Sequence, residues 1–231
     1  HHDSAGSDEM ISEREILNYL FGDSYIDYRN FTRVNPHKII PLRIASVSTI
    51  KRIVFHCTDA ESWSADRLSG FFIDEKNYPI CGYHYYISEN VYHMVGDNII
   101  TYHAAPFNKS SVSFSIDYPA SRYDALNIKP KIEIMNKAKN LAAFLALKYR
   151  IHPDMIVGHR ELPFTGFTIR QDHRVLRKTC PGMLIDLKHF RYDVTKSIQD
   201  VINQFGGQKI AVDGVFGPKT QLASNGIIIG G

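Results

Sequence analysis

The sequence contains few cysteines and no long apolar run. Its three cysteines, Cys57, Cys81 and Cys180, form an odd and sparse set that does not indicate a disulfide framework. No segment approaches the roughly 20 consecutive apolar residues that cross a bilayer, so stable membrane insertion is not expected. The formal net charge is only +3, and no cluster of lysine and arginine indicates a nucleic-acid partner.

Two common zinc-site motifs, His-Glu-x-x-His and Cys-x-x-Cys, are also missing. Nothing therefore favours an unrelated zinc hydrolase or a zinc deaminase. The chain instead carries three dispersed residues of metal-ligand type: His56, His159 and Cys180. Two imidazoles and one thiolate suit zinc, and three protein ligands leave the fourth tetrahedral position open to water. The set predicts a catalytic zinc site and not a structural one.

Six short segments occur in an order that is similar to one family. They are the strand that ends in His56, Gly-Tyr-His-Tyr at residues 82–85, His-Ala at 103–104, residues 111–115, Gly-His-Arg-Glu at 158–161, and Cys-Pro-Gly at 180–182. Together they resemble the zinc-dependent N-acetylmuramoyl-L-alanine amidases, whose fold is shared by phage amidase endolysins and peptidoglycan recognition proteins. The resemblance implies that the chain cleaves the amide bond between N-acetylmuramic acid and L-alanine in bacterial peptidoglycan.

The resemblance also implies roles for individual side chains. It makes His56, His159 and Cys180 the ligands of one Zn²⁺. Tyr83 and Lys178 would stabilise the negative charge that develops on the oxygen of the scissile carbonyl group. We therefore expect these two side chains to be catalytic.

Further side chains receive weaker assignments from the same resemblance. His103 and Asn108 fall in a loop that lines the peptide-binding cleft, which implies substrate binding. Ser115 occupies the position where many cell-wall recycling amidases carry a catalytic glutamate, so Asp117 on the same strand face is the alternative base. Glu161 is placed to orient the imidazole of a metal ligand.

The second histidine ligand has two candidates. The segment between His159 and Cys180 is longer than is usual in the family, and it contains another histidine, His173. His159 has the better local match, and an insertion in a loop costs little free energy. The sequence favours His159 and leaves His173 open.

The periodicity of apolar residues predicts an α/β fold, with a mixed central sheet flanked by helices and a small helical C-terminal module. The predicted helices cover residues 8–22, 64–74, 131–149 and 184–204, and the predicted strands cover residues 51–56, 81–88, 91–95, 111–117 and 155–157. Ser12 and Glu15 resemble a capping box, whereas residues 23–48 look irregular. Cys57 should be a buried thiol that points away from His56, because successive strand residues face opposite sides.

We divide the chain into three parts. Residues 1–48 contain a tag remnant (residues 1–7) and an N-terminal extension, and residues 49–192 form the zinc amidase domain. Residues 193–231 resemble a peptidoglycan-binding module, mainly through residues 213–220, but they end sooner than such a module normally does, which indicates truncation.

The resemblance also bears on where and how the protein acts. The polar, acidic N-terminus shows no signal peptide. We expect a monomer that acts on the bacterial cell wall, in the periplasm or outside the cell. The resemblance implies either a phage lysis protein made in the cytoplasm or a bacterial relative of such a protein. The alternative is a non-catalytic peptidoglycan recognition protein on the same fold.

Overall fold

The computed structural model describes residues 10–42, 49–163, 167–169, 175–177 and 179–230. The predicted tag remnant lies outside these residues. Numbered along the chain, the strands are β1 (Ile11–Ser12), β2 (Tyr25–Asp27), β3 (Arg52–Cys57), β4 (Tyr85–Ile87), β5 (Val91–His93), β6 (Ser111–Ile116), β7 (Ile156–Gly158), β8 (Phe167–Ile169), β9 (Val175–Arg177) and β10 (Ile229–Gly230). The helices are α1 (Glu13–Phe21), α2 (Ala65–Gly70), α3 (Ala120–Tyr123), α4 (Ile132–Tyr149), α5 (Leu187–Phe205) and α6 (Pro218–Asn225).

The centre of the fold is a six-stranded sheet in the order β2-β5-β4-β6-β3-β7. Within it β4 and β5 run antiparallel, as predicted, and the other neighbouring strands run parallel. Helices α4 and α5 pack on each other and contribute to the same apolar core as the sheet. The predicted fold class, a mixed sheet flanked by helices, is confirmed.

Alternating side chains place β3 and β6 between two different environments. The apolar core on the side of α4 and α5 receives Ile53, Phe55, Cys57, Val112, Phe114 and Ile116. The residues between them point to the opposite face, where Val54 packs with Ala104 and Leu162. This second face carries His56 and the serines of β6, so it is the face that presents polar side chains.

The N-terminal segment is more ordered than its sequence indicates. Helix α1 has the predicted capping box, in which Ser12 N donates to Glu15 Oε2 at 3.0 Å and Glu15 N donates to Ser12 Oγ at 3.2 Å. The prediction of an irregular segment at residues 23–48 is wrong for β2. Residues Tyr25–Asp27 pair with β5 in parallel and form the edge of the central sheet.

A partly buried polar cluster ties α1 to the sheet. Lys148 Nζ lies 3.0 Å from oxygens of both Glu13 and Asp97, and the hydroxyls of Tyr85 and Tyr149 donate to Asp97. Burial alone would raise the pKa of Asp97, but the hydrogen bond to a neighbouring histidine and the charge of Lys148 lower it well below its usual value. The Asp97 carboxylate is therefore ionised in the folded protein, and Lys148, which pairs with both Asp97 and Glu13, links the extension to the core.

Helix α5 is continuous across the predicted domain boundary. It runs from Leu187 to Phe205, so a division at residue 193 falls inside one helix. Its buried Gln199 holds the next loop, because Gln199 Nε2 donates to Asp213 Oδ1 at 2.8 Å and Gly214 N donates to Gln199 Oε1 at 2.9 Å. The loop and α5 therefore form one packed unit.

The chain beyond α6 returns to the main core. Ile227 is 2% exposed and belongs to the same apolar cluster as α4 and α5. The short strand β10 then pairs in parallel with β1 at the other end of the chain. Within residues 10–42, 49–163 and 179–230, no helix combines the length and apolar character needed to cross a membrane.

Candidate metal centre

Three side chains of ligand type converge at one edge of the sheet. One ligand atom each from His56, His159 and Cys180 lies within 4.8 Å of the other two. Cys180 Sγ is 3.6 Å from His56 Nδ1, and the two imidazole rings are 4.6 Å apart between centroids. Both histidines are buried. The structure thus brings together the three predicted ligands.

The spacing of these atoms fits a zinc ion. Bonds of about 2.05 Å to nitrogen and about 2.3 Å to sulfur in a tetrahedral site place the two ligand atoms about 3.6 Å apart. The observed separation of His56 Nδ1 and Cys180 Sγ is 3.6 Å. The donor set of two imidazoles and one thiolate is also one that zinc prefers, so these residues fit the metal.

Neighbouring parallel strands deliver the two histidines. In the register of β3 and β7, Phe55 lies opposite Gly158. His56 and His159 directly follow this pair, and parallel strands end at the same edge of a sheet. His159 opens a short 3₁₀ turn, His159–Glu161, which directs the chain away from the sheet. Strand pairing therefore fixes the distance between the two imidazoles.

Arg160 joins the second histidine segment to the cysteine segment. Its backbone N–H donates to the carbonyl oxygen of Cys180 at 2.8 Å. Its guanidinium group donates to Ile185 O at 2.7 Å and to Gly182 O. The Arg160 side chain thus binds two carbonyl groups that follow Cys180, and the Arg160 backbone binds the carbonyl group of Cys180 itself. Sequence analysis gave Arg160 no role, although it lies within the matched Gly-His-Arg-Glu segment.

Gly158 allows the two ligand segments to approach closely. A Cβ atom at this position would lie 2.6 Å from Leu187 Cδ1 and 2.9 Å from Pro181 Cδ. Backbone packing next to Pro181 is possible only without a side chain at residue 158. The close packing of the Cys180 loop therefore explains why the Gly-His-Arg-Glu segment begins with glycine.

Cys57 supports the thiolate of Cys180. Its backbone N–H lies 3.4 Å from Cys180 Sγ, and its thiol group is buried, as predicted. A hydrogen bond from the Cys57 thiol, together with the neighbouring imidazoles, lowers the pKa of Cys180 well below its usual value, although burial opposes this change. The same hydrogen bond raises the pKa of Cys57. The backbone N–H of Cys57 thus favours the thiolate form of Cys180, a contact that sequence analysis missed.

Tyr83 borders the same site. Its ring lies 5.0 Å from that of His56 and packs edge-on against Phe72 at 5.2 Å. Burial, with a smaller effect from the nearby Cys180 thiolate, raises the pKa of Tyr83 well above its usual value. The phenol is therefore protonated at neutral pH and can donate a hydrogen bond. On β6, Ser115 lies opposite His56 in the strand register.

The loop with the predicted substrate-binding residues contacts His56 at Nε2, the ring nitrogen that is not the one near Cys180. His103 Nδ1 lies 3.1 Å from His56 Nε2, and His103 Nε2 lies 3.0 Å from Ser111 Oγ. Asn108 Oδ1 accepts hydrogen bonds from the backbone N–H groups of His103 and Ala104 at 3.1 and 2.7 Å. Asn108 thus shapes the loop that holds His103. Substrate binding by either residue stays a prediction.

The remaining candidates lie as follows. Asp117 Oδ2 accepts a hydrogen bond from Ser62 N at 2.8 Å, and burial raises the pKa of Asp117. Glu161 Oε2 accepts a hydrogen bond from Gly158 N at 2.9 Å and pairs with Arg191 at 3.0 Å. Glu161 thus holds the ligand segment through its main chain. Lys178 and His173 lie outside the described residues.

Known protein structures share this architecture. The Ph2119 endolysin from a Thermus scotoductus bacteriophage matches with a TM-score of 0.54 and 18% identity, over 74% of this chain and 98% of that one. Bumblebee PGRP-SA matches with a TM-score of 0.52 and 19% identity, over 71% and 92%. The endolysin N-acetylmuramoyl-L-alanine amidase LysCS from Clostridium intestinale matches with a TM-score of 0.51 and 16% identity, over 72% and 91%. At such low identity these similarities show the fold alone.

No curated protein sequence matches the chain. The family model described as N-acetylmuramoyl-L-alanine amidase (Amidase_2) matches residues 46–183. This range contains the three residues whose ligand atoms converge, and it covers more than half of the sequence. The chain therefore belongs to the N-acetylmuramoyl-L-alanine amidase family of the amidase type 2 fold.

Proposed function

We propose that the protein is a zinc-dependent N-acetylmuramoyl-L-alanine amidase that hydrolyses the bond between N-acetylmuramic acid and L-alanine in bacterial peptidoglycan. The observation that carries the proposal is the convergence of ligand atoms from His56, His159 and Cys180 within 4.8 Å in a chain of this family. One Zn²⁺ held there would polarise an amide carbonyl group and lower the pKa of a water molecule toward neutrality.

The surrounding residues would orient the substrate and stabilise the transition state. Tyr83 is the proposed donor to the carbonyl oxygen, because its ring lies 5.0 Å from that of His56 and a donor aimed at developing charge lowers the barrier. Lys178, two residues before Cys180 in the sequence, is the proposed second group, since an ammonium ion would attract the same oxygen. The loop that contains His103 and Asn108 is the proposed contact to the stem peptide.

The reaction can be tested on purified peptidoglycan sacculi. Mass spectrometry should detect free stem peptides with a new L-alanine amino terminus, and no new reducing sugar ends should form. A chelator should stop the release, and added Zn²⁺ should restore it. New reducing ends with intact lactyl–peptide bonds would contradict the proposal. Binding to sacculi without cleavage would indicate a recognition protein instead.

The ligand set can be tested by elemental analysis of variants. His56→Ala and Cys180→Ser should lose zinc, whereas His189→Ala should keep it because the His189 side chain is 69% exposed and lies beside Asp193 at 3.4 Å. His159→Ala should also lose zinc. If His159→Ala keeps its zinc and His173→Ala loses it, the second ligand is His173.

We further propose that the protein acts on the cell wall as a monomer, with residues 193–231 as an accessory part that resembles a wall-binding module. Light scattering after size-exclusion chromatography should give the mass of one chain, about 26 kDa. A stable dimer at micromolar concentration would contradict the monomer. Equal binding of the full chain and of a C-terminally shortened chain to sacculi would contradict the accessory role.

A further inference from the structure

A chain of buried hydrogen bonds extends from the back of His56 into the protein. His56 Nε2 lies 3.1 Å from His103 Nδ1, and His103 Nε2 lies 3.0 Å from Ser111 Oγ. Ser111 Oγ in turn donates to the carbonyl oxygen of Phe107 at 2.7 Å. The first three of these residues are buried. The contacts therefore connect a proposed metal ligand to a fixed backbone carbonyl group.

The carbonyl group at the end of this chain sets the direction of every hydrogen bond in it. A carbonyl oxygen only accepts, so the hydroxyl proton of Ser111 must lie between Ser111 Oγ and Phe107 O. Ser111 Oγ then accepts from His103, which requires a proton on His103 Nε2. A neutral imidazole with a proton on Nε2 has an acceptor at Nδ1. His103 Nδ1 therefore accepts from His56 Nε2–H.

The same direction determines which nitrogen of His56 is free to bind metal. With its proton on Nε2, His56 carries its lone pair on Nδ1. This nitrogen is the one that lies 3.6 Å from Cys180 Sγ, on the side where the three ligand atoms converge. The tautomer that the chain imposes is thus the tautomer that a metal ion at this site requires.

We infer that Ser111 and His103 are positioning residues that fix the metal-binding tautomer and the ring orientation of His56. The inference rests on the proposed zinc site and adds residues that act through a ligand without binding the metal. It also explains the serine in the first position of β6, whose side chain points to the face that carries His56. The opposite tautomer of His103 would set the lone pairs of His103 Nε2 and Ser111 Oγ against each other at 3.0 Å, which is costly at sites that water does not reach.

The first test compares two serines of the same strand. Ser111→Ala removes the end of the chain, whereas Ser113→Ala removes an equally buried hydroxyl that contacts His84 at 3.1 Å and not His103. Competition with a chromogenic chelator should show zinc affinity reduced about 10- to 100-fold in Ser111→Ala, the usual effect of losing a partner behind a ligand. Ser113→Ala should retain wild-type affinity.

The second test observes the tautomers directly. Long-range ¹H–¹⁵N spectra of histidine-labelled, zinc-free protein at mildly alkaline pH should show protonated Nε2 and unprotonated Nδ1 in both His56 and His103. Ser111→Ala should give mixed tautomers, while Ser113→Ala should keep the wild-type pattern at these two histidines. A proton on His103 Nδ1 in the wild-type protein would overturn the inference.

A second pair of variants applies if Ser111→Ala does not fold. His103→Asn keeps an acceptor near the position of Nδ1, and His103→Leu, of similar size, removes it. Zinc affinity should be higher in His103→Asn than in His103→Leu. Equal affinity of His103→Leu and the wild-type protein would overturn the inference.

Failure of the inference can be distinguished from failure of the proposed function. If the wild-type protein binds no zinc, the proposed function fails. If the wild-type protein binds zinc and Ser111→Ala binds it equally well, only the role of Ser111 and His103 fails.

Discussion

Arg160 offers the sharpest test of how the site is held together. Its guanidinium group donates to Ile185 O at 2.7 Å and to Gly182 O, both on the loop that carries Cys180. Arg160→Met keeps most of the aliphatic stem and removes these donors. Arg122→Met is the matched control, because the side chain of Arg122 is 68% exposed and lies 3.4 Å from Glu61.

The magnitude follows from the guanidinium hydrogen bonds to Ile185 O and Gly182 O, because a third, to Thr179 O, is long at 3.4 Å. A hydrogen bond from a charged donor contributes about 1.5–3 kcal/mol, so two would contribute about 3–6 kcal/mol if no water replaced them. Arg160 is only half-buried, and water can reach the carbonyl groups after substitution. We therefore expect Arg160→Met to lower the free energy of unfolding by about 2–3 kcal/mol. Arg122→Met should change it by no more than about 0.5 kcal/mol, as is usual for exposed ion pairs.

The measurement is thermal unfolding of zinc-free protein, which makes the result independent of the proposed reaction. For a chain of this size about 1 kcal/mol corresponds to about 2–4 °C, so Arg160→Met should melt about 4–12 °C below the wild-type protein. Zinc affinity should fall as well, because a looser Cys180 loop is competent to bind metal for a smaller fraction of the time. Equal melting temperatures for Arg160→Met and Arg122→Met would refute this account of the loop.

Four other changes test separate parts of the structure. Gln199→Ala should lower stability by about 1–3 kcal/mol, because the loop after α5 loses a buried partner, and hydrogen exchange should rise in that loop but not in α4. Deletion of residues 206–231 should leave zinc content unchanged but lower the melting temperature, since burial of Ile227 alone contributes about 1.5–3 kcal/mol; an unchanged melting temperature would favour an independent module. Asp97→Asn should cost about 1.5–3 kcal/mol at neutral pH. Because the pKa of Asp97 is lowered in the folded protein, this difference should shrink as the pH falls below about 4 in denaturant titrations. Tyr83→Phe should keep its zinc and lose about 10²–10³ in turnover, and a near-normal rate would remove it from the mechanism.

The three residues of the candidate metal centre could be predicted because each lies in a short segment with its own signature. His56 ends a strongly apolar strand, and Cys180 precedes a Pro-Gly pair. The regular periodicity of residues 131–149 likewise predicted α4, whose bounds are Ile132–Tyr149. The pattern of α4 is local, so a single sequence is enough for it, whereas the choice of His56, His159 and Cys180 also needed the resemblance of their segments to a known family.

Features that depend on distant partners could not be predicted in this way. The three residues of β2 have no strand pattern of their own and become a strand because they pair with the open edge of β5. The Asp-Gly turn at residues 213–214 suggests a separate module, yet Gln199 on α5 binds this turn and Ile227 enters the main core. An unpaired strand edge and a space in the apolar core exist only in the assembled fold, so a local sequence pattern does not predict which segment fills them.

The residues that support the ligands fall between these two cases. In β6 the sequence Ser-Val-Ser-Phe-Ser-Ile alternates serine with apolar residues, and the serines are completely buried. Such an alternation predicts that the serine face of the strand contacts polar groups, since buried hydroxyls need hydrogen-bond partners. Once His56 is assigned to the neighbouring strand, that argument leads to Ser111 and His103. Arg160 could be found in a similar way, because a half-buried arginine next to a ligand needs acceptors, and the carbonyl groups of a tight loop supply them. The matched segments of this chain therefore specify both the side chains of the candidate metal centre and the groups that hold those side chains in place.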